Sequence, residues 1–402
     1  MGIRTVVIAG GSIAGLSAAR ELRRSGFDGS IRMIDCDPDA PYRRPAVSKS
    51  ILTAHHEPAD IAVVVPAELD ITSVGGVSLR ALDPRRRVVL GDADGTEVRF
   101  GYDGLIIATG SRARDWRPPA DLDGVYSLRS VADGMALRGP LAVAGHVVIV
   151  GGGFIGLEVA SAARSMGVPV SVVEAAAVPL AHVLGRALGE RLARVHRDHG
   201  VRLRCGTTVT ELRGRARVES VVLSDGTEIE ADLVLACVGS EPAVGWLRDS
   251  GLDLRDGVTC DRHCLVSGAD QVAAAGDVAS WPNPCFGRRM RVEHWANAIE
   301  QGTFAARALL GLAPETGFAS VPYFWSEQYG TRLQSVGVSA GHDEALVLRQ
   351  SGEAMLIGYG HAGRVIGVAG YNVGSAVLRY RKDIERGTRL AELTEAVPVN
   401  VL

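Results

Sequence analysis

Two stretches of the chain carry the same pattern: a short apolar run, a glycine turn, a helix-period segment stopped by glycine, and a second apolar run closed by an acid. In the first, Thr5–Ala9 leads into Gly10-Gly11-Ser12-Ile13-Ala14-Gly15; Leu16 to Ser25 has helical period, Gly26 ends it, and Ile31–Ile34 is closed by Asp35 and Asp37. In the second, His146–Val150 leads into Gly151-Gly152-Gly153-Phe154-Ile155-Gly156. Leu157 to Met166 follows as helix, Gly167 stops it, and Val170–Val173 ends at Glu174. Short apolar runs between glycines predict buried parallel strands, and the segments between them predict helices. Two similar runs, Leu105 to Gly110 and Leu233 to Gly239, mark further strands that end at glycine. Beyond about Val321 the pattern changes. Leu346–Leu348, Ala354–Gly358 and Val365–Ala369 alternate as antiparallel strands, with a helix after them.

The turns carry the first chemistry. In a G-x-G-x-x-G loop the first glycine permits the tight turn and the second lets the backbone approach a pyrophosphate. The third lets helix and strand pack closely, and the phosphates sit on the helix N-terminus. Gly151, Gly153 and Gly156 give the full pattern, with Phe154 and Ile155 between; Gly10, Ser12 and Gly15 give it with serine at the second place. Glu174 lies about twenty residues past its turn, where a carboxylate accepts hydrogen bonds from a ribose diol. A 2′-phosphate there would meet like charge, and Ala175, Ala176, Ala177 and Val178 supply no cation, so NADH is expected over NADPH. Two such units about 140 residues apart predict two dinucleotides, a bound flavin and a mobile nicotinamide.

Composition narrows the class. With 402 residues, 47% hydrophobic and 22% charged, the chain predicts two or three packed domains. A net charge of −3 gives no sign of a nucleic-acid or membrane-surface binder. No apolar run is long enough to span a bilayer and no signal-peptide pattern opens the chain, so a cytoplasmic protein is expected. The six cysteines are scattered; only Cys260 and Cys264 are close, which predicts free thiols and no metal site. Lys49 and Lys382 are the only lysines among 43 basic residues, which singles out Lys49 as an ammonium with a task.

Several longer motifs stand in order. Pro41-Tyr42-Arg43-Arg44-Pro45-Ala46-Val47-Ser48-Lys49 is followed by Thr109-Gly110, by Ala275-Gly276-Asp277-Val278-Ala279, and by Arg291-Val292-Glu293-His294-Trp295 with Asn297-Ala298. Pro322-Tyr323-Phe324-Trp325-Ser326-Glu327-Gln328 completes the set. On these the chain resembles the bacterial ferredoxin reductases of the putidaredoxin-reductase and biphenyl-dioxygenase-reductase type, within the glutathione-reductase-like flavoproteins. The resemblance implies an α/β fold: two Rossmann-like dinucleotide-binding domains plus a C-terminal mixed α/β domain. It implies a discontinuous FAD domain over residues 1–111 and 239–320, a NAD domain over 112–238 and a C-terminal domain over 321–402.

Residue roles come from the same resemblance. Gly10, Ser12, Ala14 and Gly15 would meet the FAD pyrophosphate, with Asp37 on the adenosine ribose and Arg44 neutralising phosphate charge. Lys49 would lie beside the isoalloxazine near N5 and pair with Glu158, and these two are the expected catalytic residues. Thr109, Gly110, Gly276, Asp277, Glu293 and His294 would complete the flavin contacts, Asp277 on the ribityl chain, with Trp295 and Trp325 near the flavin edge. Glu158 and Gly239 join the Gly151–Gly156 turn and Glu174 on the nicotinamide side. Two departures stand out: Val178 and His182 replace arginines that follow the NAD-binding acid, and Asn372-Val373-Gly374-Ser375 replaces a C-terminal arginine-bearing stretch.

Hydride must pass from nicotinamide C4 to flavin N5. No cysteine lies between Pro41 and Leu52 to receive it next, which excludes a disulfide reductase. The expected outlet is one electron at a time to a small ferredoxin that supplies a monooxygenase or dioxygenase, from a monomer or weak homodimer. An acidic ferredoxin needs a basic patch. Arg288, Arg289 and Arg291 form one candidate; Arg379, Arg381, Lys382, Arg386 and Arg389 form another, which a solvated helix face explains equally well. An NADH oxidase or quinone/dye reductase, and a slow redox-sensing flavoprotein resembling apoptosis-inducing factor, are the alternatives.

Overall fold

The computed structural model describes residues 2–39, 41–116 and 122–395; the chain's first residue and residues 396–402, ends of the expected outer domains, lie outside that range. Contacts divide the chain into two compact units, Met1–Arg43 with Pro58–Arg112 and Ser240–Pro322, and Arg44–Glu57 with Ala113–Gly239 and Tyr323–Leu402. The segment Arg44–Glu57, expected with the FAD piece, falls in the second unit. The cause is local packing: Val47 and Ile51 of the π-helical turn Val47–Ile51 pack closely on Gly134 of the helix Val131–Val143, where a Cβ would lie 3.1 Å from the Val47 side chain.

The first unit rests on β1 (Thr5–Ala9), α1 (Ile13–Arg24) and β2 (Ser30–Ile34). Its parallel sheet runs in the order Val272–Ala274, Gly104–Ile107, β1, β2, Ile71–Val74. Val6, Val7, Ile8, Leu105, Ile106 and Ile107 are fully buried, as strands covered on both faces require. The helix Trp295–Leu309 packs on α1, and Gly302 makes the approach possible: a Cβ there would lie 2.2 Å from the Ala14 carbonyl oxygen.

The second unit repeats the plan with β3 (Val147–Val150), α2 (Phe154–Ser165) and β4 (Val170–Glu174), then α3 (Ala181–Asp198). Its sheet runs Arg202–Cys205, β4, β3, Leu233–Ala236, Val125–Ser127, all parallel. The edge strand next to Leu233–Ala236 comes from earlier in the chain, whereas its counterpart in the first sheet, Val272–Ala274, comes from later. The C-terminal stretch forms a five-stranded antiparallel sheet that begins with β5 (Tyr323–Gln328), followed by the short helices Arg381–Arg386 and Glu392–Glu395.

Gly302→Val is expected to destabilise the chain by about 1–3 kcal/mol, the usual range for forcing atoms into a close-packed contact. Gly139→Ala, in the helix Val131–Val143 with open space around it, is expected to stabilise slightly. Urea unfolding of both variants measures the pair.

Candidate functional site

In the first unit the glycine turn is held by a carboxylate. Gly10 has φ +115°, which a side chain would strain, and a Cβ on Gly15 would lie 2.0 Å from the Gly10 carbonyl oxygen. Asp35, at the end of β2, accepts from the Gly11 amide at 2.5 Å through one oxygen and from the Asp37 amide at 2.8 Å through the other. Ser12 is the N-cap of α1, yet its side chain makes no cap hydrogen bond, and the first turn of the helix carries no acid. The leading N–H groups of α1 are thus left for an anion. Asp37, expected on the ribose, lies two residues beyond Asp35 and accepts from the Tyr42 hydroxyl at 2.7 Å.

The other residues expected on the flavin in this unit form linked pairs. Thr109 donates to the Ala243 carbonyl at 3.0 Å, and the Ala243 amide donates to the Gly110 carbonyl. Gly276, with φ +78°, faces Ala14 of α1 and donates its amide to Gln301. Asp277 beside it accepts from Ser111 at 2.9 Å. Glu293 accepts from both Ser240 and Arg291, and Arg291 also pairs with Asp256 at 2.8 Å. Burial lowers His294 to about 4, against the pull of Asp277. Trp295 opens its helix half-buried, packed against the core.

The second unit reproduces the latch. Gly151 has φ +107°, and a Cβ there would lie 2.2 Å from the Cys237 carbonyl oxygen. Glu174 accepts from the Gly152 amide at 2.6 Å and from the Ala176 amide at 2.7 Å. Each bond has its twin at Asp35, so Asp35, not Asp37, is the topological counterpart of Glu174. Four acceptor sites on a carboxylate minus these two leave room for a ribose diol. Gly153 caps α2 with open space where a Cβ would stand, Ile155 is half-buried, and Phe154 packs on Phe324 with ring centroids 4.8 Å apart. Gly156 meets the Gly151 carbonyl, and Gly239, at φ +99°, accepts from the Arg114 amide. Both turns therefore fit a dinucleotide: backbone open toward the ligand, uncapped helix N-termini, and an acid at each second strand.

Lys49 and Glu158 come together as expected, Nζ to Oε2 at 2.7 Å. Sequence reasoning missed the rest of the cluster. Glu158 is buried on α2 and accepts also from Ser48 at 2.5 Å and from Ser326 at 2.6 Å. Lys49 donates further to the Pro45 carbonyl at 3.0 Å. Both serines sit in quoted motifs, but nothing in their spacing says that they share one carboxylate. Arg44 donates to the Arg129 carbonyl at 2.9 Å, and Trp325 stacks on Tyr323 at 6.0 Å.

No disulfide joins any of the six cysteines, and no group of three potential metal ligands occurs among the described residues. Burial pushes the Cys237 and Cys260 thiols up to about 12 and raises Cys264 as well, so all three stay protonated at neutral pH. Of the two basic clusters, the first is largely spent within its own unit: Arg289 donates to the Cys260 and Ser280 carbonyls, and Arg291 holds Asp256 and Glu293. Arg379, Lys382, Arg386 and Arg389 are exposed.

Comparison with known proteins agrees with this geometry. A family described as pyridine nucleotide-disulphide oxidoreductase matches residues 4–302, and one described as reductase C-terminal matches 323–397. The chlorobenzene dioxygenase ferredoxin reductase component of Cupriavidus sp. (strain PS12) is 39% identical over 350 residues, 86% of this chain and 83% of the relative. Rhodocoxin reductase of Rhodococcus erythropolis is 36% identical over 349 residues, 85% of this chain and 80% of the relative. The covalent putidaredoxin reductase–putidaredoxin complex contains a chain that superposes with a TM-score of 0.91 at 30% identity, over 98% of this chain and 97% of that one. With a match across three quarters of its length and both latched turns in register, the chain belongs to the pyridine nucleotide-disulphide oxidoreductase family.

Proposed function

We propose that this chain is an NADH:ferredoxin oxidoreductase, a flavoprotein that takes a hydride from NADH and passes electrons singly to an iron–sulfur protein serving an oxygenase. The observation that carries the reading is the pair of matching carboxylate-latched turns, one for each dinucleotide. The relatives are ferredoxin reductases by name, and the structural counterpart was solved with putidaredoxin attached. FAD, when bound, supplies an isoalloxazine that accepts two electrons together and releases them one by one. No disulfide joins the described cysteines, so electrons have no protein disulfide to stop at.

The chain's own residues divide the work. Gly10, Ser12, Ala14 and Gly15 receive the FAD pyrophosphate at the start of α1, Asp37 the adenosine ribose, and Asp277 the ribityl chain. Thr109, Gly110, Gly276, Glu293, His294 and Trp295 shape the same pocket within the first unit. Arg44, Lys49 and Trp325 are the second unit's residues assigned to the flavin. The Gly151–Gly156 turn takes the nicotinamide dinucleotide and Glu174 its adenine ribose, while Lys49, held by Glu158, offsets negative charge where the reduced ring is electron-rich. The exposed Arg379, Lys382, Arg386 and Arg389 offer the acidic ferredoxin its landing surface. No helix among the described residues is long and apolar enough to cross a membrane, and unlinked thiols suit the reducing cytoplasm, where we place the protein.

The purified protein is expected to be yellow and to be bleached by NADH far faster than by NADPH in stopped flow. Equal rates would defeat the nicotinamide assignment. Glu174→Ala is expected to raise KM for NADH about tenfold, the cost of roughly one charge-assisted hydrogen bond. Lys49→Met is expected to slow flavin reduction on the order of a hundredfold while FAD stays bound. Lys382→Glu combined with Arg386→Glu is expected to lower kcat/KM for ferredoxin about tenfold at low salt, with the deficit shrinking as ionic strength rises. Rapid NADH consumption with stoichiometric peroxide and no ferredoxin requirement would instead identify an oxidase.

A further inference from the structure

Beyond the Lys49–Glu158 pair, the second unit holds a continuous line of buried polar side chains that the reaction described so far does not use. Ser326 and Gln328 lie two residues apart on β5 and so face the same side, with Gln328 Nε2 3.0 Å from Ser326 Oγ. Gln328 Oε1 lies 2.8 Å from His196 Nε2 on α3, and His196 Nδ1 lies 3.0 Å from the Tyr329 hydroxyl. His196, Gln328 and Ser326 are all at most 2% exposed.

The direction of every hydrogen in this line follows from its end. A carboxylate only accepts, so the Ser326 hydroxyl donates to Glu158. Ser326 Oγ is then free to accept, which makes Gln328 Nε2 the donor and turns Gln328 Oε1 toward His196. His196 Nε2 must carry the proton, its Nδ1 must accept, and the Tyr329 hydroxyl must donate. Burial supports each assignment: it lowers His196 to about 4, leaving one proton on the ring at neutral pH, and it raises Tyr329, keeping the phenol protonated. All the hydrogens therefore point one way, Tyr329 to His196 to Gln328 to Ser326 to Glu158. Aligned bonds of this kind polarise one another and strengthen toward the charged terminus.

The backbone at the far end is an independent sign. Tyr329 and Gly330 are the two turn residues between β5 and the next strand, and Tyr329 has φ +51°. Two-residue hairpins favour Asn or Gly there, and a bulky residue in this left-handed region costs about 1–2 kcal/mol. The tyrosine is kept in place by its side chain: its hydroxyl reaches His196 and its ring stacks on His199 at 3.7 Å. Strain held by specific contacts marks a place where the side chain's position matters.

We propose that Ser326, Gln328, His196 and Tyr329 are positioning residues: a one-way hydrogen-bond chain that sets the strength and orientation of the Glu158 carboxylate, and through it the field that Lys49 exerts on the flavin. This rests on the reading of Lys49 as the cation beside the flavin. Fewer donors on Glu158 leave more of its negative charge to offset Lys49, which disfavours the reduced flavin.

The test measures the midpoint potential of bound FAD and the stopped-flow rate of its reduction by NADH in the holoenzyme. Ser326→Ala is expected to shift the potential negative and slow reduction about tenfold with KM for NADH unchanged, the cost of one charge-assisted hydrogen bond. Ser326→Thr, which keeps the hydroxyl, is expected to restore both. Tyr329→Phe keeps the ring on His199 and the fold, and is expected to shift the potential in the same direction by less; nitrogen NMR of His196 in the same variant is expected to lose the single Nε2–H tautomer. Wild-type potential and rate in Ser326→Ala and Tyr329→Phe, alongside a large change in Lys49→Met, would overturn the chain and leave the Lys49 assignment standing. No change in Lys49→Met either would overturn both.

Discussion

A carboxylate placed in a low-dielectric interior must be satisfied or the local structure fails, and Glu158 meets that demand with three donors from two other elements. Ser48 and Lys49 come from a π-helical turn, Ser326 from β5, and Glu158 itself from α2. Removing one partner of such a buried pair typically costs about 3–5 kcal/mol, so the charge acts as a three-way tie within the second unit. The tie also explains why Arg44–Glu57 packs with residues far along the chain rather than with its neighbours in sequence. A single buried charge thereby acts as a folding constraint.

The two glycine turns show how one physical solution serves two ligands. In each, a positive-φ glycine lets the chain reverse beneath a neighbouring strand, and a third glycine lets the helix sit on the turn's first carbonyl. In each, the acid ending the second strand accepts from the turn and from the amide two residues on. These carboxylates rigidify the loop before any ligand arrives, so less ordering is left to be done on binding. Asp35 is one methylene shorter than Glu174, and Asp37 stands beyond it, oriented by Tyr42. The carboxylates available beside the two turns thus differ in number and reach.

Electron flow depends as much on what is withheld. No disulfide joins the described cysteines, so no oxidised sulfur competes as an acceptor. Arg289 and Arg291, adjacent in sequence to the flavin motif, are tied to carbonyls and acids of their own unit, and their charge is local glue rather than a docking patch. Near the C-terminus Arg379, Lys382, Arg386 and Arg389 stand exposed, with long side chains that can reorient at little cost in lost contacts.

The strand–turn–helix–strand units, the glycines at positive φ and the antiparallel character of the C-terminal stretch were all legible in the amino-acid sequence, because local periodicity and backbone sterics act over a few residues and leave a direct trace; the Lys49–Glu158 pair was expected only through the family resemblance of the motifs that hold the two residues. Helix starts were read late, at Leu16 and Leu157 rather than Ile13 and Phe154, because an uncapped helix beginning inside a glycine loop shows no capping signal. Asp35's latch, the two serines on Glu158, and the line from Ser326 through Gln328 and His196 to Tyr329 were decided only by tertiary structure. Those contacts join residues up to 168 positions apart, and a hydrogen bond between distant side chains imposes no spacing that a linear pattern can reveal.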